Sequence, residues 1–493
     1  MGEWAASFLL LGALSTGSVL PFWSNTGQYG LYPESDGALA VAGVYKPFNE
    51  ERAFDWRVGV SGALRLDGLA SGTRSRADAI PGDIHPTFDP FPDECYASVR
   101  WKPLVLDVGL RHDECDFMAA SPTLGSLSVT GGHLVRSGNA RALPGYELTL
   151  RPWAVPFTKE HLFLFGSWGD FVSVDTRYDR RSLLHRVKFG FTVRPVRWMD
   201  ITLALDHYAQ WGGTAADGKP LVPVNFGNYW RIITGQKGGA DATQSDQMNV
   251  LGCHGGAELI RFDFRGNGWK IVFQHEIPYA DKSGMLLHNF PDGVNTLAFS
   301  FNDKKRWVSD VLYEFTYTMN QSGTIHDPET DPSGKPIPWD PSRSYDGMDD
   351  YYNNSSYRSG LTHFGRPVTS ALFYPQGTKA GTWSRQEITL GIENNRVIAH
   401  HIGLSGYLFK VAPYRLMLTF SQNYGKFGRP YAGEDPAGKP EGSVKETPLL
   451  QFSAGFSGEV PVGPLDLTYG IYGDIGEVLQ KNFAVLFGLR YRL

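Results

Sequence analysis

The chain has 493 residues, 42% of them hydrophobic and 13% aromatic, and a net charge of −5. It has no run of about 18 apolar residues, which excludes helical membrane spans, and no basic run that would engage nucleic acid. The mean hydropathy of −0.26 would suit two or three soluble domains, but it equally suits a transmembrane β-barrel, in which only alternate residues face lipid.

From the N-terminus, Phe8 to Leu11 form an apolar patch where the core of a signal peptide would lie. However, Glu3 stands where Lys or Arg is expected and no small-residue cleavage site follows. The patch therefore reads as a first strand, 5–13, of a chain already relieved of any leader. Strand-like segments bounded by Gly, Pro, Asn and Asp then recur at 37–47, 54–67, 94–102, 104–112, 145–153, 161–169, 183–194, 198–210, 256–265, 268–277, 294–302, 308–320, 396–408, 414–425, 447–458, 464–474 and 482–493. Several alternate with a period of two. Val311, Tyr313, Phe315, Tyr317 and Met319 oppose Asp310, Glu314, Thr316 and Thr318. In the last segment Phe483, Val485, Phe487, Leu489, Tyr491 and Leu493 share one face, and Leu486 alone breaks the pattern.

The connections test this segmentation. One side holds only tight turns, at 47–51, 103, 153–160, 195–197, 266–267, 303–306, 409–413 and 461–464, while the other holds 69–92, 113–144, 211–255, 278–293, 321–395 and 426–446. Such asymmetry is that of an all-β, antiparallel transmembrane barrel of about 18 strands, with both termini periplasmic and the long loops outside the cell. Residues 384–392 could make another strand, but parity assigns them to the large loop. The long loops are rich in aromatics and are expected to fold inward and plug the lumen. The whole chain reads as one barrel domain, expected to be monomeric in lipid. No catalytic role is expected, since no G-x-S-x-G elbow or paired-carboxylate string accompanies His207 or His275.

Several strings, in this order and spacing, resemble the Wzi-type capsule-assembly family of outer-membrane proteins in its Bacteroidetes form. They are Leu20-Pro21-Phe22-Trp23 with Gln28-Tyr29-Gly30, Ser137-Gly138-Asn139-Ala140-Arg141 with Pro144, Gln210-Trp211-Gly212-Gly213, Pro291-Asp292-Gly293, Tyr313-Glu314, Gln321-Ser322-Gly323 with His326-Asp327-Pro328, Tyr352-Asn353-Asn354 and Ala399-His400-His401. The resemblance runs from about residue 20 to the C-terminus. It implies an 18-stranded barrel that holds or organises surface polysaccharide without an enzymatic step. Enterobacterial members carry a periplasmic helical bundle, for which this chain has no segment.

A polysaccharide needs flat aromatic faces for sugar C–H groups and polar side chains for hydroxyls and uronates. Trp211, Tyr229, Trp230 and Arg231 in one loop, and Trp339, Arg343, Tyr345, Tyr351, Tyr352 and Arg358 in another, supply both. An interfacial Trp before a tight turn, and girdle or plug packing, are the plainer roles for these aromatics. Glu147, Arg151, Lys188, Arg194, Asp206, Asp310, Glu314, Arg490 and Arg492 suit an ion-pair ladder in the lumen, or alternatively the lining of a pore. No metal or other cofactor is expected: the acidic run around His326 lacks an EF-hand spacing, and His400 and His401 point to opposite faces. Three cysteines (Cys95, Cys115 and Cys253) have no metal spacing, and a Cys95–Cys115 bridge stays open. The expectation is an outer-membrane barrel that anchors or assembles capsular polysaccharide through its loops. The alternatives are a porin-like channel for oligosaccharides or small solutes and, third, a barrel enzyme.

Overall fold

A computed structural model describes residues 4–17, 20–33, 35–68, 87–129, 132–133, 138, 141–174, 181–214, 220, 222–240, 242, 246–247, 250–280, 282–321, 358–359, 362–363, 394, 396–426, 429–430, 448–479 and 481–492. Eighteen antiparallel strands close into one barrel. They are β1 (Ala5–Ser15), β2 (Gly37–Lys46), β3 (Phe54–Asp67), β4 (Thr87–Trp101), β5 (Leu104–Leu110), β6 (Pro144–Ala154), β7 (Leu162–Val172), β8 (Leu183–Val196), β9 (Met199–Trp211), β10 (Cys253–Gly266), β11 (Trp269–Tyr279), β12 (Gly293–Phe301), β13 (Asp310–Tyr317), β14 (Val397–Leu408), β15 (Ala412–Asn423), β16 (Leu449–Val462), β17 (Leu465–Gly476) and β18 (Asn482–Arg492). Each strand pairs with its chain neighbours, and β1 closes the ring on β18 with Ser7 opposite Arg492. That register puts the first and last strand ends on the same rim as all the tight turns.

Closure joins the first strand to the last, so the paired strands satisfy one another's backbone groups around the whole ring. The outer wall follows the period of two. Phe8, Leu10, Val44, Val60, Leu148, Phe189, Leu467, Phe483 and Phe487 are exposed, as lipid-facing side chains must be in a barrel. At the short-turn rim Phe54, Trp56, Trp101, Trp153, Trp198, Trp307 and Phe409 form an exposed aromatic girdle.

The expected segments all form strands, with shifted ends. β4 begins well before residue 94. Pro90 and Pro92 lie beyond Cys95, where β4 pairs with β3 alone, and Pro92 flanks an irregularity: Ser61 pairs with Glu94 and Gly62 with Pro92, so Asp93 has no opposite residue. Proline in a strand is tolerated at such bulges. The bulged Asp93 carboxylate instead accepts from Ser61 Oγ at 2.9 Å and lies 2.8 Å from His112 Nε2.

The hydrophobic core lies inside the barrel. Inward residues of the wall, including Leu11, Ala13, Leu39, Ala63, Met417, Tyr472, Ala484 and Leu486, pack with Leu20, Phe22, Trp23, Ala119, Leu124, Leu127 and Val129 from two connections. Leu486, which broke the alternation of the last segment, faces this core.

Candidate functional site: a plugged lumen and a capped rim

The first plug segment joins β1 to β2. After Pro21 the chain makes one helical turn, α1 (Phe22–Asn25). The Phe22 amide N–H donates to Asp474 Oδ2 at 3.0 Å, which anchors this turn to β17. Trp23 is 1% exposed. Its backbone comes so close to β16 that a Cβ on Gly455 would lie 2.7 Å from the Trp23 Cβ. Full burial of an aromatic side chain of this size contributes several kcal/mol.

The second plug segment, residues 111–129 and 132–133, follows β5 and touches much of the wall. Ser128 Oγ and the Val129 N–H donate to the two oxygens of Glu314 at 2.6 and 2.8 Å, and Thr296 Oγ1 donates to the first at 3.2 Å. The Ala120 N–H donates to Ser405 Oγ at 2.8 Å, Thr123 Oγ1 to Glu459 at 2.6 Å and Arg415 Nη1 to the Ser126 carbonyl at 3.0 Å. Gln274 Nε2 donates to the Gly132 carbonyl at 2.6 Å, and Arg261 Nη1 reaches Asp116 at 2.6 Å. Gly403 is required here: a Cβ would meet the Leu127 carbonyl oxygen at 2.7 Å.

One network joins both plugs to the wall. Trp23 Nε1 donates to Thr419 Oγ1 at 3.0 Å, and Thr419 lies 2.9 Å from His401 Nδ1. His401 Nε2 lies 2.9 Å from the Leu127 carbonyl, which can only accept. Nε2 of His401 therefore carries a proton and donates it to this carbonyl. His400, the next residue, faces outward beside Tyr313 Oη at 2.8 Å.

Charges elsewhere in the lumen pair across strands. Arg194 and Arg265 both reach Asp200 at 2.7 Å, Arg57 reaches Asp107 at 2.7 Å, and Lys188 lies 3.8 Å from Asp206. Arg490 pairs with Glu459 and Lys304 with Asp310. Near the short-turn side of the plug a cavity of about 40 Å³ is lined by Tyr32, Leu124, Arg415, Glu459, Tyr472 and Arg490, room for a few waters.

Two of the sequence motifs meet at the plug. The Tyr29 N–H donates to the Gly138 carbonyl at 2.6 Å, and its ring stacks on His112 with centroids 4.0 Å apart. Arg141 lies 3.7 Å over the Phe91 ring and pairs with Asp89 at 3.2 Å, a carboxylate shared with Arg65. Burial, and then the neighbouring Cys115, push the Tyr29 phenol above its ordinary range. For His112 burial opposes the charge, but the Asp93 carboxylate outweighs it and raises the imidazole. Burial lowers His133. Burial would raise Asp116, but its bond to His133 and the Arg261 charge hold it well below the usual carboxylate range.

At the long-loop rim, α2 (Phe226–Thr234) lies over β8 and β9. Asn225 caps it by accepting from the Asn228 N–H, and Gly235 ends it in the left-handed conformation. Ala209, Trp211, Val222, Ile232 and Leu251 form a small core beneath it.

No protein-family model matches the chain, and no curated protein is similar to it in sequence. Among solved structures, it is similar to Escherichia coli Wzi, an outer-membrane protein involved in group 1 capsule assembly and a carbohydrate-binding β-barrel. The TM-score is 0.51 at 12% identity, over 98% of this chain and 83% of that one. OccAB2 of Acinetobacter baumannii aligns over 100% of this chain and 98% of that one with a TM-score of 0.45 and 9% identity. OpdK of Pseudomonas aeruginosa covers the same shares, 100% and 98%, with a TM-score of 0.45 and 8% identity. The fold is that of an outer-membrane barrel. At these identities the likeness extends to the fold alone.

The structure places the sequence candidates in different settings. Trp211 is 6% exposed, 5.9 Å from the Tyr229 ring, so it supports the rim instead of offering a face to sugar. Tyr229 Oη donates to Asp170 at 2.9 Å, and Arg231 Nη1 donates to Asn228 at 2.7 Å. Trp230 is exposed. Gly212 and Gly213 have φ of 61° and 85°, as a sharp exit from β9 requires. Gln210 and Asp292 are buried, with Asp292 Oδ1 accepting from the Asn320 N–H at 2.7 Å. Gln321, also buried, donates to the Thr318 carbonyl at 3.1 Å. Arg358 starts a two-residue ribbon with Thr362–His363.

Ser137, Asn139, Trp339, Arg343, Tyr345, Tyr351, Tyr352, Asn353 and Asn354, and the acidic run around His326, lie outside the described residues. The three cysteines are free thiols, so Cys95 and Cys115 are not bridged. Among the described residues no group of three or more His, Cys, Asp or Glu is placed to hold a metal ion.

Sequence reasoning missed α1 and α2. Asn225 and Gly235 bracket α2 with ordinary start and stop signals, and an apolar Leu20-Pro21-Phe22-Trp23 string in a connection was the signal for an inward plug.

Proposed function

We propose that this protein is a non-enzymatic outer-membrane barrel that anchors or helps to assemble a capsular or other surface polysaccharide at its long-loop end. In this reading both termini are periplasmic, the long loops face the cell exterior, and the barrel works as a monomer. The observation that carries it is the plug. Segments 20–33 and 111–133 are bonded to the wall at Asp474, Thr419, His401, Glu314, Ser405, Arg415 and Gln274. A lumen packed with an apolar core suits a rigid platform better than a solute path. The carbohydrate binding of the structurally similar E. coli barrel agrees with this reading.

Binding would be multivalent. Each sugar–aromatic contact is weak, but a repeating polymer presents many at high effective concentration. The contacts are assigned to the loop carrying Trp339, Arg343, Tyr345, Tyr351, Tyr352 and Arg358. The test is binding of purified surface polysaccharide to the detergent-solubilised barrel. Trp339→Ala combined with Tyr351→Ala and Tyr352→Ala should weaken binding at least tenfold while the barrel stays folded. Unchanged binding in the triple variant, or no binding by the parent, would reject the reading.

A further inference from the structure

Residues that share a strand face with lipid-facing side chains should be apolar throughout the membrane-spanning height. Near the long-loop rim of β7 to β11 they are not. Asp170 shares the outward face of β7 with exposed Trp168, His185 that of β8 with exposed Phe189, and His207 that of β9 with exposed Leu203. His254 and Tyr279 continue this polar patch on β10 and β11, with His207 2.9 Å from Tyr279 Oη and 3.1 Å from His254.

Two connections cover the patch from outside. Tyr229 of α2 bonds Asp170, and the Leu251 carbonyl lies 2.9 Å from His254 Nε2. His185 is consequently 1% exposed despite facing away from the lumen. The connection after β11 is pinned by Asn289 donating to the Pro278 carbonyl, and its Phe290 ring lies 6.2 Å from the outward His275.

The outer surfaces of these two flaps carry exposed apolar side chains. Phe226 is 80% exposed, Trp230 53%, Leu286 58% and Phe290 61%, and Val224 and Met285 of the same flaps are exposed too. Phe226 and Trp230, four residues apart, lie on one side of α2. Exposed clusters of this kind mark an interaction surface.

We infer that the flap surface of Phe226, Trp230, Leu286 and Phe290 is a membrane-seated shelf whose partner is the lipid of the leaflet at the long-loop end. Two arguments select lipid over a protein partner. The flaps rest on outward faces, at Asp170 and His275, of a wall that carries exposed Phe189, Leu203 and Phe273 on the same side. Its height also fits: β9 spans 13 residues, and such a tilted strand rises roughly 30 Å, so Trp211 and the helix over it stand at the upper edge of the apolar band. There, aromatic side chains settle at the headgroup boundary, and a short helix lies flat with its apolar side towards the acyl chains. The polar wall patch is thereby kept from lipid, and the apolar surface is restored one layer further out. Trp230 is then a membrane contact and not a sugar platform.

The test compares the parent with Trp230→Phe in phosphatidylcholine vesicles, so that the difference emission reports one indole. We expect that emission to be largely lost when the acyl chains are brominated near the headgroup, and to resist aqueous iodide. Phe290→Trp in the Trp230→Phe background should give the same pattern for the second flap. Quenching by iodide with indifference to brominated lipid, for either indole, would overturn the inference and leave the shelf in water, free for a protein partner. Neither readout depends on polysaccharide binding.

Discussion

Glu314 shows most directly how one side chain commits the lumen to being filled. Its carboxylate is fully enclosed, and the donors that satisfy it come from the plug (Ser128, Val129) and from the preceding strand (Thr296). Alternation in 308–320 indicated that Glu314 faces inward; it could not indicate that a loop some 185 residues earlier in the chain would reach it. Glu314→Ala should cost about 1–3 kcal/mol through the donors left buried and unbonded, read as a lower urea midpoint in micelles with faster amide exchange at Val129. His133 and His112 should respond to acid with opposite signs. His133 is lowered in the folded protein, so its contribution is complete above the unfolded value of about 6.5 and is lost as pH falls below it. His112 is raised, so its contribution is present below about 6.5 and lost as pH rises through the folded value. Acidification through the imidazole range should therefore speed exchange around Asp116 and Gly132 and slow it around Tyr29. His133→Asn should remove the first effect alone.

For the elements, the legible part was whatever repeats. Strand positions follow from a period of two, and the sorting of tight turns to one rim follows from the barrel itself, so both could be read without knowing any contact. The ends of β4 could not, because Pro90 and Pro92 argue against a strand unless the bulge at Asp93 is known. Connections have no period. The segment 113–144 was recognisable as too long for a turn, but 16–36 was not counted with it, although it supplies Trp23. Its partners on the wall, Gly455, Thr419 and His401, are brought to it only by closure of the barrel. Because Leu110 already pairs with Pro144, residues 112–142 can be replaced by a short Gly/Ser turn without removing a strand pair. This excision should leave a folded barrel of lower thermal stability and convert a silent protein into a conducting one. A silent excised barrel would show that the second plug segment is not what closes the lumen.

At the scale of the whole molecule, the wall is an ordinary outer-membrane barrel and the individuality lies in what fills and overlays it. The sequence showed the compartment and the strand count because lipid imposes one rule on every strand. It showed less of the site, since aromatic loops serve equally as plug, girdle or sugar platform. Trp211 illustrates this: it was a plausible platform by composition and is instead buried beneath α2. In the proposed function the native barrel is closed by its own chain and works at its long-loop surface. Single-channel recording of the purified protein in a planar bilayer, with and without surface polysaccharide, tests it most directly. A closed barrel stays silent in both conditions. Steady conductance that added polysaccharide blocks would contradict it and make this protein a glycan-selective channel.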